Sequence, residues 1–202
     1  TEDSTGTKLI SISGDCNFPG VYEVEWGFNV NDVCEMVGAS DVQAVQVGGP
    51  SGALVSPSDF DRTLCYADLS TGGSLMIFNK SRDLLEDVVL NFTDFFIDES
   101  CGSCSTCRIM PVILRDKLIK ILNARGVKQD IKDMQEWGKV LKSSRCGLGQ
   151  TAANPVLTSI NNFRYLYDQK IQIGKSFDTG FDLTAAIKDG AETVGRPPVT
   201  HS

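Results

Sequence analysis

Three cysteines within seven positions, in the stretch "ESCGSCSTCR" (residues 99–108), constrain this chain more than any other feature. Cys101, Cys104 and Cys107 are separated by two residues each, so the backbone between them has to curl into one tight turn. All three thiols then face a common centre. Such a turn is organised by what the sulfurs bind rather than by apolar burial.

Tetrahedral zinc usually takes two ligands from each of two knuckles. Three thiolates from a single loop suit three corners of a [4Fe–4S] cube better. In bacterial ferredoxins a fourth Cys follows after three residues and serves a second cluster. Here that position is Pro111, which leaves one cluster with a remote fourth ligand. Cys146 is the candidate, because it ends a helical segment and Gly147 and Gly149 let backbone amides approach the sulfurs. The full pattern is Cys-x2-Cys-x2-Cys-x38-Cys. A [4Fe–4S] cluster is the favoured ligand; zinc and an inert thiol cluster are the alternatives. Arg108 and Arg145 each flank a proposed ligand. They read either as surface charges at helix ends or as positive charge that raises a cluster's reduction potential.

Seven cysteines cannot all pair, and their clustering does not suit a disulfide framework. Cys16, Cys34 and Cys65 read as small buried hydrophobes, and a reducing, cytoplasmic compartment fits. The net charge of −7 argues against nucleic acid, whose binding needs Lys and Arg to neutralise phosphates. Charges interrupt "LEDVVLNFTDFFIDE", so no direct membrane insertion is expected, and "TEDSTGTK" lacks the apolar core of a signal peptide. His201 is the single histidine and leaves no base for a Ser-His or Cys-His mechanism. No GxxxxGK[ST] is present, and "GGPSG" (residues 48–52) reads as a turn more than a phosphate cradle. Nothing in the chain can do hydride chemistry alone.

The first third alternates as strands do. Ile10 and Ile12 oppose Leu9, Ser11 and Ser13, while Tyr22, Val24 and Trp26 oppose Val21, Glu23 and Glu25. "GDCNFPG" between them predicts a hairpin with a longer loop. "NVNDVCEMVGA" has helical spacing at Val30, Val33, Cys34 and Val37, a cap at Asn29 or Asn31 and a stop at Gly38. "VQAVQVGG" and "GSLMIFN" are two further strands. Strand, strand, helix, strand, strand is the order of a small α+β grasp. From Ser81 the period becomes helical, with Leu84, Leu85, Val88, Val89, Phe92, Phe95 and Phe96 expected on one face. Three further helical segments follow: "RIMPVILRDKLIKILNA", "KQDIKDMQEWGKVLKSS" and "NPVLTSINNFRYLYDQK". Four helices with short connections predict an antiparallel bundle. From Gly174 onward only a weak amphipathic stretch near Phe181 to Ile187 remains, so the tail is expected to lie on something else or to be mobile.

These stretches together resemble the family of NADH-oxidising flavoprotein subunits. It includes the NADH-binding subunit of respiratory complex I, the diaphorase subunit of NAD-reducing soluble hydrogenases, and the corresponding subunit of NAD-dependent formate dehydrogenases. "CNFPGVYEVEWGFNVNDV" and "VQVGGPSGALVS" are similar to the family's soluble-ligand-binding β-grasp domain. "ESCGSCSTCR" and "SSRCGLGQTAANPVL" are similar to its iron–sulfur domain. The wording "SRCGLGQT", with "GGSLMIF" and "SRDLLEDV" before it, resembles the hydrogenase diaphorase subunit most. Thr106 and Met110 depart from the family's Pro-Cys-Arg and following Gly without removing a ligand.

The resemblance implies an α+β fold: a ubiquitin-like, soluble-ligand-binding β-grasp domain over residues 1–80, an antiparallel four-helix [4Fe–4S] domain over 81–172 and a C-terminal tail over 173–202. It implies Cys101, Cys104, Cys107 and Cys146 as ligands of a cluster that relays single electrons. The electrons pass between FMN and a ferredoxin-like iron–sulfur partner subunit, in an NAD(H)-linked oxidoreductase such as an NAD-reducing hydrogenase. The family's flavin- and NADH-binding domain should precede this segment, so it either belongs to a longer chain or lies on another polypeptide. This chain alone is expected to be inactive. The rival from another class is a zinc-stapled protein-interaction module, and a third reading is a stand-alone ligand-binding module.

Overall fold

The computed structural model describes residues 1–173 and 183–195. The tail expected from residue 173 onward therefore falls largely outside the described residues, as do His201 and Phe181. A helix, α8 (Leu183–Val194), lies within it.

One five-stranded sheet and a set of helices make up a mixed α and β structure. The strands are β1 (Thr7–Gly14), β2 (Gly20–Glu25), β3 (Val42–Val47), β4 (Ala53–Val55) and β5 (Ser74–Asn79), in spatial order β2-β1-β5-β3-β4. β1 pairs antiparallel with β2 and parallel with β5, and β3 pairs antiparallel with both β4 and β5. The predicted hairpin, helix and strands are present. β4 is an addition, because three residues are too few for alternation to register. The "GGPSG" stretch forms the β3–β4 turn, with Gly48 and Gly49 at positive φ.

Helix α1 (Val30–Met36) crosses one sheet face. Of the two candidate caps the structure uses Asn29, whose side chain accepts from Asp32 N–H while the Asp32 carboxylate accepts from Asn29 N–H. That reciprocal box needs an acidic residue three positions on, and three positions after Asn31 stands Cys34. Val30, Val33 and Val37 pack on Ile10, Ile12, Val45, Val47, Val55, Leu75 and Ile77, the inward rows of the strands.

The opposite sheet face meets the second half of the chain. Ala44, Leu54 and Phe78 share one core with residues from Leu84 to Tyr167. β3 is consequently buried through all of Ala44–Val47, the pattern of a strand covered on both faces. Helix α6 (Asn154–Asn162) also closes the edge of the sheet: Leu54 N–H donates to Thr158 Oγ1 at 3.2 Å and Asn162 Nδ2 donates to the Leu54 carbonyl at 2.6 Å.

The helical half begins with a seven-residue π-helical stretch (Leu84–Leu90), capped by the Asp83 carboxylate, that runs into α2 (Asn91–Asp98). The wider π turn, with its i→i+5 bonds, keeps residues four apart in line. Leu84, Val88, Phe92 and Phe96 therefore point inward with Leu85 and Val89. Phe95, expected on this face from a 3.6-residue period, is 40% exposed. Next come α3 (Ser105–Leu122), α4 (Lys128–Gly138), a 3₁₀ turn (Lys139–Ser143), a short α5 (Gly147–Thr151), α6 and α7 (Arg164–Asp168). The last predicted helix is thus two, broken at Phe163, whose φ of −133° and ψ of 35° are not helical.

A buried ion cluster fixes the α3–α4 turn. The Asp130 carboxylate, 5% exposed, receives Lys117 at 2.8 Å, Lys120 at 2.9 Å and the Val127 N–H at 2.9 Å, and Lys117 also reaches Asp133. Burial alone would raise the Asp130 pKa, but these three donors outweigh it and hold the carboxyl below its ordinary value. A depressed carboxylate stabilises the fold above its unfolded pKa, about 3.9. That contribution is lost as pH falls through the lower folded value. Asp130→Asn is expected to cost about 2–3 kcal/mol at neutral pH, as loss of charge-assisted bonds does. It should also flatten the acid limb of the stability–pH curve below about pH 4, measured by urea unfolding between pH 3 and 7.

Candidate metal centre

Two segments bring cysteines together. Cys101 lies in the loop after α2, Cys104 is the N-terminal cap of α3 in extended conformation, and Cys107 follows in the first helical turn. Cys146 caps α5, after α4 and its 3₁₀ turn have carried the chain back alongside α3. All four border one cavity of about 120 Å³, together with Glu99, Ser100, Ser144 and Leu148. Cys107 is buried, Cys104 is half-buried, and Cys101 and Cys146 are exposed.

The two segments are locked by small contacts. Thr106 Oγ1 and Ser144 Oγ are 3.1 Å apart, and Gln150 Nε2 donates to the Ser144 carbonyl at 2.9 Å. Gly149 seats α5 against this lock. A Cβ there would stand 2.6 Å from Ser144 Cβ and 3.3 Å from Cys107 Cβ. Gly102, at φ +73°, makes the turn between Cys101 and Cys104, and Arg108 Nη1 donates to its carbonyl at 3.0 Å. Arg108 thus braces the loop. Arg145 is exposed, with no carboxylate within ion-pair distance among the described residues. Pro111 supplies no N–H to the carbonyl of Cys107 one turn earlier.

The other three cysteines lie elsewhere. Cys34 is buried in the core between α1 and the sheet, with Cys16 packed at its edge, and Cys65 is buried in the β4–β5 connection. Burial, with the neighbouring Cys16 thiol adding to it, pushes the Cys34 pKa up to about 11, so it stays a neutral thiol at ordinary pH. Sequence spacing did not single out Ser100, Thr106 or Ser144. A hydroxyl beside a cysteine carries no periodicity, and its adjacency to the motif was the only signal.

Four thiols around one cavity are a soft donor set of the kind that selects iron–sulfur clusters and zinc. Among the described residues no three His, Cys, Asp or Glu side chains are gathered closely enough to hold a metal ion as they stand. The cysteines line the wall of the cavity instead of meeting at a point.

Residues 87–170 match the family model of the NADH-ubiquinone oxidoreductase-F iron–sulfur binding region. The chain belongs to the family of NADH-oxidising flavoprotein subunits through the part of them that carries this iron–sulfur binding region. Its cofactor is accordingly a [4Fe–4S] cluster. It is 47% identical over 173 residues to the NAD-reducing hydrogenase HoxS subunit alpha of Cupriavidus necator, covering 85% of this chain and 29% of that one. It is 31% identical over 182 residues to the NADP-reducing hydrogenase subunit HndC of Solidesulfovibrio fructosivorans, covering 85% and 37%. An NADH-quinone oxidoreductase subunit of Mycobacterium tuberculosis is 29% identical over 185 residues, covering 86% and 41%. The crystal structure of an NAD+-reducing [NiFe]-hydrogenase in the H2-reduced state superposes with a TM-score of 0.84 at 33% identity, over 98% of this chain and 35% of that one. The relatives are oxidoreductase subunits, and the chain spans well under half the length of each. Among the described residues no helix is long and apolar enough to cross a membrane.

The seat of α5 gives a direct test of this geometry. Gly149→Ala forces a methyl group into contact with Ser144 and Cys107, and overpacking of this kind costs about 1–3 kcal/mol. Thermal unfolding should register that loss, whereas Gly147→Ala, with open space around its Cα, should be near neutral.

Proposed function

We propose that Cys101, Cys104, Cys107 and Cys146 hold the [4Fe–4S] cluster, and that the chain is the electron-transfer part of an NAD(H)-linked flavoprotein oxidoreductase. The observation that carries this reading is the single cavity bordered by all four thiols of the Cys-x2-Cys-x2-Cys-x38-Cys pattern. A bound cluster exchanges single electrons, the step that has to follow the two-electron hydride chemistry of NAD(H) and FMN. FMN and NAD(H) belong, in this reading, to a flavin-binding domain outside the sequence described. The partner on the other side is a ferredoxin-like iron–sulfur subunit of a multisubunit assembly. The similarity to hydrogenase subunits supports an NAD-reducing hydrogenase, and a cytoplasmic setting accompanies it.

The residues around the cavity divide the remaining work. Gly102 and Arg108 hold the three-cysteine turn, Thr106 and Ser144 keep the Cys146 segment beside it, and Leu148 lines the wall with an apolar side chain. The sheet order β2-β1-β5-β3-β4, with α1 packed on one face, supports a β-grasp reading of residues 1–80. The α3–α4 pair and the flanking helices support a four-helix iron–sulfur domain over 81–172. The zinc-stapled module is less well supported. Residues 87–170 match the model of an iron–sulfur binding region, and three of the four thiols come from one loop, where zinc usually takes two from each of two knuckles.

Seven single Cys→Ser variants, purified anaerobically and assayed for iron and acid-labile sulfide, test the ligand set. Substitution at Cys101, Cys104, Cys107 or Cys146 is expected to lower both, and substitution at Cys16, Cys34 or Cys65 to leave both unchanged. Retention of iron by Cys146→Ser with loss in Cys65→Ser would sink this assignment. Colourless protein holding stoichiometric zinc would favour the rival.

A further inference from the structure

One hydroxyl on the cavity wall lies outside the ligand set but touches one of its sulfurs. The Ser100 hydroxyl lies 3.4 Å from the Cys107 sulfur, and the same oxygen accepts from Gly102 N–H at 3.3 Å. Cys107 is the most enclosed of the four thiols, at 7% exposure. The neighbouring hydroxyls of Thr106 and Ser144 are engaged with each other. Among the described residues, Ser100 is the hydroxyl in hydrogen-bond contact with a sulfur of this cavity.

Between a thiol and a hydroxyl either group can donate. A cysteine that ligates a metal has given up its proton, which fixes the direction: the hydroxyl donates and the sulfur accepts. The Gly102 N–H on the other side of the oxygen polarises the O–H bond in the same sense. On the ligand set proposed above, we infer that Ser100 donates a hydrogen bond to the iron-bound Cys107 thiolate and raises the reduction potential of the cluster. Reduction adds negative charge that the sulfurs share, so a donor aimed at one of them stabilises the reduced form more than the oxidised form. Hydrogen bonds to the sulfurs are among the quantities that set such potentials, and an enclosed sulfur feels them with little screening. Ser100 acts through its neighbour, as a positioning and tuning residue.

The experiment uses the full chain with its cluster loaded anaerobically, titrated with dithionite and followed by the electron paramagnetic resonance of the reduced form. Iron and sulfide are measured on each sample. Ser100→Ala is expected to keep both, while its reduction equilibrium constant falls roughly two- to fivefold, a part of the roughly tenfold upper bound that one whole hydrogen bond would set, because only the difference in its strength between the two oxidation states is read; tenfold is about 59 mV for one electron. Ser100→Thr keeps the hydroxyl and should titrate at the unsubstituted potential. An unchanged potential in Ser100→Ala overturns the inference. Should Ser100→Ala lose its iron, Ser100→Thr decides: retention of iron and potential supports a role for the hydroxyl, and loss of iron there overturns it. An unsubstituted chain that takes up no iron overturns the ligand set and this inference with it. A loaded chain indifferent to Ser100→Ala removes only the inference.

Discussion

The helical half rests on one geometric condition: the chain has to leave the three-cysteine turn along α3 and return to the same height before Cys146. The segment lengths meet it. Eighteen residues of α3 rise about 27 Å. Eleven residues of α4 give about 16 Å, and the five-residue 3₁₀ turn adds about 10 Å, so outward and return paths match to within a turn. Closing a loop of that size costs a few kcal/mol of chain entropy by analogy with covalent cross-links. The cost is offset by Leu114, Leu118 and Ile121 packed with Ile131, Met134 and Leu141. The Asp130 cluster sets the register at the turn, and Thr106 with Ser144 sets it at the cavity. Either end alone would leave the hairpin free to slide.

The sheet is joined to this arrangement more closely than two consecutive sequence regions would require. Its β3–β4–β5 part is a middle layer, with α1 on one side and the helical core on the other. Ala44, Leu54 and Phe78 belong to the core that also contains Cys107. Displacement of α3 is thus transmitted to the sheet through packed side chains instead of through a linker.

Much of this could be read from the residues. The cysteine spacing pointed to one site, and the structure gathers those four side chains around one cavity. Alternation located β1 and β2, whose Ile10, Ile12 and Val24 face one core, and short apolar runs located β3 and β5, which are covered on both faces. β4 escaped because Leu54 and Val55 face different cores and three residues set no period. Phe95 was misplaced because a π turn changes the phase of a helix without any residue announcing it. The break at Phe163 has neither Gly nor Pro to mark it. There Phe163 itself is buried, and tertiary packing sets the kink. The roles of Ser100, Thr106 and Ser144 escaped for a different reason: hydrogen-bond partners 7 or 38 residues apart are a property of the folded loop and leave no trace in composition.

The closure of the β4 edge by α6 also bears on how the chain is made. Leu54 and its partner Asn162 are 108 residues apart, so during synthesis the strand waits for the helix. At about 5–20 residues per second, roughly 5–20 s pass between the two leaving the ribosome. Through that interval the outer N–H and C=O groups of Leu54 lack the partners that α6 later supplies. Exposed edges of this kind invite pairing with a neighbouring chain. β4 is only three residues long, and it is followed directly by Ser56 and Pro57, a proline having no N–H to offer a passing strand. The shortness of β4 thus protects the nascent protein before α6 exists to do so.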